Sequence, residues 1–75
     1  MTGSEALHAM REGRKVARSV WPNGVKIWAE WDEKYQHFEF YEQVLDYFRV
    51  LKIYRINAQT QLLNDLTKDD WKVVE

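Results

Sequence analysis

The sequence contains no cysteine, one proline, three glycines and two histidines among its 75 residues. Without cysteine there is no disulfide framework, and the separated His8 and His37 lack the spacing of a metal site. We therefore expect neither a metal nor another cofactor. Gly13 and Gly24 each stand alone, which excludes a glycine-rich phosphate loop. No apolar run approaches 18 residues, so we expect no membrane partner.

An excess of charge of one sign is also missing. Eleven basic and twelve acidic residues give a net charge of −1, which lacks the basic character of a protein that binds duplex nucleic acid. No charged-then-apolar segment opens the chain and cysteine is absent, so we expect a cytoplasmic protein. No nucleophile stands beside an activating base in a known pattern. We predict no catalytic residue and no enzymatic activity.

What the chain does have is aromatic residues: four Trp, four Tyr and three Phe. A chain this short forms one domain, residues 1–75, and buries only about 60% of the surface that it exposes when unfolded. With disulfides and metals excluded, self-association is the remaining way to stabilise it. Some rings must then lie at the surface, where clustered aromatics mark an interface or a ligand site. We predict a homo-oligomer.

Local patterns predict an α+β fold. Residues 2–5 form a capping box that begins a helix, and Gly13 suits its left-handed end. Pro22-Asn23-Gly24 is the strongest turn signal in the chain, because proline sets one corner and Asn-Gly tolerates positive φ at the next. The turn predicts a β-hairpin of residues 15–21 and 25–31, with Val16 and Val20 on one face.

The rest of the chain predicts further strands. A charged turn at 32–34 precedes a third strand at 35–41, whereas 42–49 fit either a helical turn or the opening of the next strand. The remaining predicted elements are a fourth strand at 51–56, a short helix or turn at 58–66 and a last, edge-like strand at 71–74. The expected architecture is a short N-terminal helix packed on a four- to five-stranded antiparallel β-sheet.

Several residues have the chemistry to bind a nucleotide. A nucleobase stacks on an aromatic ring for about 1–3 kcal/mol, and Trp21 is favoured because it adjoins a turn. Arg18 has the planar fork that pairs with a phosphate, although a surface arginine on a strand is an equally good interpretation. Asn23 could contact a base edge or a ribose hydroxyl. We expect Trp31 and Trp71 to be structural and leave Trp28 open.

The two ends of the chain carry a more specific pattern. The opening segment, residues 5–21, reads EALHAMREGRKVARSVW and is followed by an Asn-Gly turn. It resembles the Thoeris anti-defense 2-like family, whose members open with an EAL helix followed by K-x-V-A-R-x-x-W. The closing segment, residues 66–74, resembles the family's D-W-x-V-V strand. The resemblance covers about residues 4–31 and 52–75.

The resemblance implies a phage protein that sequesters a cyclic nucleotide immune signal, such as a cyclic ADP-ribose isomer or a cyclic oligonucleotide, without cleaving it. It also implies a homotetramer in the host cell cytoplasm with ligand pockets where protomers meet. By motif, Trp21 is the stacking ring and Asn23 a polar contact. The predicted ligand-binding residues are Arg18, Trp21, Asn23, Trp28, Asp70 and Trp71, of which Arg18, Asp70 and Trp71 either line the pocket or hold the sheet.

The middle of the chain leaves an alternative open. Residues 33–50 are aromatic and acidic, where the family commonly has a proline-containing stretch. Residues 38–48 could then form the contact surface of a protein–protein inhibitor of a bacterial defence effector, in the manner of an anti-CRISPR protein. An enzyme acting on nucleotides is a third, weaker interpretation.

Overall fold

A computed structural model describes residues 1–57 and 59–74, and among these the side chains of all but 59–61. It consists of one short helix, five antiparallel strands and a second short helix before the last strand. In chain order the elements are α1 (Gly3–Arg11), β1 (Val16–Arg18), β2 (Lys26–Asp32), β3 (His37–Leu45), β4 (Leu51–Arg55), α2 (Gln59–Asp65) and β5 (Trp71–Val73). The predicted α+β fold, a short N-terminal helix with an antiparallel sheet, is confirmed. The described residues contain no helix long and apolar enough to cross a membrane.

The predicted capping box begins α1. The Thr2 side chain accepts from the Glu5 amide at 3.2 Å, and the Glu5 carboxylate accepts from the Thr2 amide at 2.9 Å. Gly13, just beyond the helix, has a φ of +89°, the left-handed conformation expected there. Gly3 is needed for packing, because a Cβ at this position would lie 1.6 Å from the carbonyl oxygen of Leu66. The first turn of α1 therefore touches the backbone that follows α2.

The strands follow the order β4-β3-β2-β1-β5, so β4 and β5 form the two edges of the sheet. Every neighbouring pair is antiparallel. One face of the sheet packs against α1 and supplies the buried Val16, Ile27 and Ala29. The other buried members of this core are Ala6, Ala9, Met10, Leu62 and Trp71. The predicted edge position of the last strand is confirmed.

The predicted first hairpin is correct in its pairing and wrong in its length. β1 pairs with β2 through Val16 and Ile27 but ends at Arg18 rather than at residue 21. The cause is a local turn, since the Trp21 amide donates to the Arg18 carbonyl at 3.0 Å and bends the chain away from β2. Val20, expected on the face of Val16, is consequently 68% exposed.

The predicted turn at residues 22–24 is present within a longer loop, residues 19–25. The Val25 amide donates to the Pro22 carbonyl at 3.2 Å, and Gly24 has a φ of +90°. This loop is wide enough to hold the ring of Trp21 beside the sheet, where it packs against the core.

The ambiguous segment 42–49 resolves into strand and turn. β3 continues to Leu45, and its register with β4 places Leu45 opposite Leu51. The turn that follows is organised by Asp46, whose carboxylate accepts from the amides of Phe48 and Val50 at 2.8 and 2.9 Å. Both alternatives for this segment were wrong: residues 42–45 end the third strand, and the two bonds to Asp46 form a hairpin turn before the next strand begins at Leu51.

The remaining predicted elements agree closely with the structure. The strand at 51–56 is β4, and the helix at 58–66 is α2, except that residue 58 lies outside the described residues. The third strand begins two residues later than predicted, because the Asp32 carboxylate accepts from the Lys34 and Tyr35 amides and prolongs the turn.

Candidate ligand clefts beside Trp21

Trp21 and Trp71 form one aromatic unit. Their ring centroids lie 5.3 Å apart with the planes at 80°, an edge-to-face arrangement. Trp71 is 2% exposed, and its indole nitrogen donates to the Asp65 carbonyl at 3.2 Å. Trp71 therefore belongs to the core and supports the half-buried ring of Trp21, which stays accessible on its outer side.

Arg18 is held by two carboxylates. Its Nε and Nη2 donate to the two carboxylate oxygens of Asp70 at 2.9 and 3.1 Å, and its Nη1 donates to Asp65 at 3.4 Å. The hydrogen bond from Arg18 holds the pKa of Asp70 below its usual range, and the same bond raises the pKa of Arg18. Arg18 thus ties β1 to the residue before β5 and to the end of α2.

A first cleft of about 340 Å³ lies between the helix-covered face of the sheet and α2. Its walls combine apolar side chains with charged and polar ones. The apolar lining residues are Trp21, Val25, Ile27, Val44, Ile56 and Leu62, and the polar ones are Glu42, Arg55, Asn57 and Asp65. A small molecule with one flat apolar part and several polar groups would match this lining.

A second cleft of about 200 Å³ lies on the other side of the loop that carries Trp21. It is lined by Arg18, Trp21, Asn23, Lys26 and Lys72 together with smaller neighbours. Among the described residues, neither of the two lysines forms an ion pair with a carboxylate. The two ammonium groups make this cleft suitable for an anion.

Five of the six predicted site residues come together, and one lies apart. Arg18, Asp70 and Trp71 support Trp21, while Asn23 lines the second cleft beside it. Trp28 belongs to the opposite face of the sheet from Ile27, where it stacks on Tyr41 with centroids 6.1 Å apart. Lys15 lies 4.7 Å above the same ring. Trp28 lines neither of these two clefts.

The polar residues of the first cleft were not found from the sequence. Glu42 carried the clearest signal, because it continues the alternation of Phe38 and Phe40 and puts a charge on an otherwise apolar face. Arg55, Asn57 and Asp65 carried none, since they come from a strand end, a loop and a helix that only the folded chain brings together.

One group of side chains has the composition of a metal site. Asp32, His37 and Glu39 place one ligand atom each within 4.8 Å of one another at the β2–β3 turn. A hydrogen bond of 2.7 Å between His37 and Glu39 accounts for part of this closeness, and the Asp32 carboxylate also accepts from turn amides. We assign no metal to this group, in which only His37 is exposed.

Comparison with curated proteins and with solved structures gives no match. The model of the Thoeris anti-defense 2-like domain matches residues 1–74. This range contains every element from α1 to β5, together with Trp21 and both clefts. The chain therefore belongs to the Thoeris anti-defense 2-like family, whose name describes a role against the Thoeris defence.

Proposed function

We propose that this protein binds a cyclic nucleotide immune signal in the first cleft and sequesters it without cleaving it. The observation that carries the proposal is the position of Trp21. Its ring lines an apolar cleft with a polar rim, and a buried tryptophan holds it from behind. A ring fixed in this way loses little freedom when a base stacks on it, which favours affinity.

The rim of the first cleft supplies groups for the rest of such a ligand. The Arg55 guanidinium, bonded through Nε to Asn57 at 3.2 Å, has further donors with the spacing that suits a phosphate or diphosphate. Glu42 and Asp65 can accept hydrogen bonds from ribose hydroxyls or an exocyclic amine. A volume of about 340 Å³ is at the lower end of the range for small-molecule pockets, which favours a cyclic ADP-ribose isomer over a larger cyclic oligonucleotide.

The predicted site residues divide into two roles in this proposal. Trp21 and Asn23 contact the ligand, and the second cleft with its two lysines takes any phosphate that reaches around the loop. Arg18, Asp70 and Trp71 hold the Trp21 loop in position through their own contacts. Trp28 has no place in either cleft, and its stack on Tyr41 belongs to another surface.

The proposal is one of binding and not of turnover. The side chains that line the two clefts in the described part of the chain are aromatic, aliphatic, carboxylate, amide and cationic. Such groups stack on, pair with and orient a nucleotide. An agent of this kind acts where the signal is made, so we place it in the host cell cytoplasm, and we propose that it works there as a homo-oligomer.

Isothermal titration calorimetry with cyclic ADP-ribose isomers, cyclic dinucleotides, cyclic trinucleotides and linear ADP-ribose tests the proposal. We expect one class of cyclic ligand to bind and Trp21→Ala to weaken its affinity by about 10- to 100-fold, the equivalent of one stacked base. Trp31→Ala is the matched control, because Trp31 is 50% exposed but packs against Phe38, away from both clefts.

Heat from none of these ligands, or equal affinity in wild type and Trp21→Ala, would contradict the proposal. Chromatography of the ligand released by heat denaturation separates sequestration from catalysis, since a sponge returns the cyclic compound intact and an enzyme returns its products.

A second candidate function is favoured by one observation. Tyr47 and Phe48, within the segment predicted as a protein contact surface, are 94% and 81% exposed. An inhibitor of a defence effector would use such rings as anchors. Recovery of a host effector on the immobilised protein, lost in a Phe48→Ala variant but retained in Trp21→Ala, would support this function over sequestration.

A further inference from the structure

The two edges of the sheet differ in how their backbone groups are bonded. At β5, Trp71 makes both of its outward hydrogen bonds with Met1. The Trp71 amide donates to the Met1 carbonyl at 3.2 Å, and the Trp71 carbonyl accepts from the Met1 ammonium at 2.8 Å. The N-terminal residue thus occupies the place where a further strand would add.

At β4 the outward backbone amides and carbonyls have no partner of this kind among the described residues. The Ile56 amide donates to the Phe40 carbonyl, and the Val50 carbonyl accepts from the Asp46 amide, so even-numbered residues of this segment point toward β3. Successive residues of an antiparallel strand direct their backbone groups to alternate sides. Leu51, Ile53 and Arg55 therefore direct theirs outward, and no described strand lies beyond them. We call these outward groups the free edge.

The side chains around the free edge are apolar and exposed. Their exposed fractions run from 48% to 94%, and they belong to Tyr47, Phe48, Val50, Leu51, Ile53 and Tyr54. Within β4 itself, Leu51, Ile53 and Tyr54 are 48%, 59% and 50% exposed, and exposed apolar side chains that cluster at the edge of a sheet mark a surface for association. β4 has no proline or bulge, and of the features that protect natural edge strands it carries only two charged side chains, Lys52 and Arg55.

We infer that β4 is the surface on which two copies of this chain pair, antiparallel about a two-fold axis at Ile53. This inference rests on the proposed self-association, and it identifies β4 as the surface through which the copies associate. In this register Ile53 faces its own copy, and Leu51 of each chain faces Arg55 of the other. The three outward residues of each chain then form three bonded pairs, with about six hydrogen bonds in total. If the register between the two copies shifts by two residues in either direction, only about four of these hydrogen bonds remain within β4.

The side chains agree with this register. Lys52 of each chain faces Tyr54 of the other, which allows its ammonium to reach the ring. Arg55 faces the apolar Leu51, and no two like charges stand opposite each other. Because Met1 occupies the other edge of the sheet at Trp71, the pairing closes after two copies and does not extend into a fibre.

Sedimentation equilibrium of the wild type and of Ile53→Lys tests the surface. The substitution puts two ammonium groups against each other at the axis, so we expect the dissociation constant to rise by on the order of 100-fold. Tyr47→Lys makes the same kind of change at the more exposed hairpin tip, outside β4, and should stay within about threefold of wild type. A monomeric wild type, equal loss in both variants, or an unchanged Ile53→Lys would overturn the inference.

Amide hydrogen exchange on the wild type tests the pairing without a substitution. We expect the amides of Leu51, Ile53 and Arg55 to gain protection as the protein concentration rises through the association range. Lys52 and Tyr54, bonded to β3, should be protected at every concentration. Outward amides that exchange freely in the fully associated protein would overturn the pairing even where the protein is oligomeric.

Calorimetry separates this inference from the proposed ligand. A wild type that associates through β4 but binds no cyclic nucleotide would leave the pairing intact and overturn the sequestration. A wild type that binds the nucleotide while its β4 amides stay unprotected would do the reverse.

Discussion

The part of the molecule built around α1 is packed closely, whereas β4 and the turn that precedes it are exposed. Met10 and Val16 are fully buried, and Trp71 is nearly so. In β4, by contrast, all five residues are exposed, and the hairpin tip carries two exposed rings, Tyr47 and Phe48, whose centroids lie 5.5 Å apart. A small chain gains little stability from apolar residues that stay in water. The comparison teaches that the region around α1 holds the fold together, whereas β4 and the turn before it add little to the core.

The largest effect is expected where α1 meets the end of α2. Gly3→Ala would place a Cβ 1.6 Å from the Leu66 carbonyl oxygen, so the helix or that backbone must move. We expect the free energy of unfolding to fall by about 4 kcal/mol, at the upper end of single substitutions. Urea denaturation measures this. Ser4→Ala, at the exposed neighbouring position, should change stability by no more than about 0.5 kcal/mol, and similar losses in both would mean that the close approach is unimportant.

A pair of substitutions compares the two regions directly. Met10→Ala removes a fully buried side chain and should cost about 3 kcal/mol. Phe48→Ala removes a larger side chain that is 81% exposed, and should change the stability of the monomer by no more than about 0.5 kcal/mol. Urea denaturation at a concentration where the protein is monomeric gives both values. A loss from Phe48→Ala as large as that from Met10→Ala would remove the contrast between the regions.

The smallest expected effect is a loss of stability at low pH. The pKa of Asp70 is lowered in the folded protein by its hydrogen bond from Arg18, so its contribution is full above the pKa of the unfolded chain and is lost as pH falls through the folded pKa. The thermal midpoint should therefore fall below about pH 4, and part of that fall should disappear in Asp70→Asn. Asp69→Asn, at the exposed adjacent position, should retain the wild-type profile. Identical profiles in wild type and Asp70→Asn would show that the pair with Arg18 does not stabilise the fold.

Local signals predicted much of the fold. The capping box of α1, the positive φ at Gly13 and Gly24, and the alternation through β2 and β4 all depend on neighbours in sequence. The length of β1 was predicted wrongly. The alternation of residues 15–21 predicted a strand as far as Trp21, but β1 stops at Arg18, where the Trp21 amide donates to the Arg18 carbonyl and closes a turn.

The candidate site divides in the same way. Arg18, Trp21 and Asn23 could be selected from the sequence because they lie in or near the first turn and have the chemistry to bind a nucleotide, and motif resemblance added Asp70 and Trp71. The arrangement of these side chains in space could not be predicted from the sequence. Arg18, a candidate ligand for phosphate, is engaged by two carboxylates from other elements, and the polar rim of the first cleft comes from β3, the end of β4 and α2.

The sequence by itself determined the elements, the turn at residues 22–24, the family and the need to cover a surplus of aromatic side chains. Those properties depend on residue chemistry and on spacings of a few residues. The tertiary structure alone decided which residues support the Trp21 ring and which edge of the sheet is left free. Both outcomes depend on contacts between the two ends of the chain, where Met1 and Trp71 meet, and a local pattern cannot encode a contact between residues that far apart.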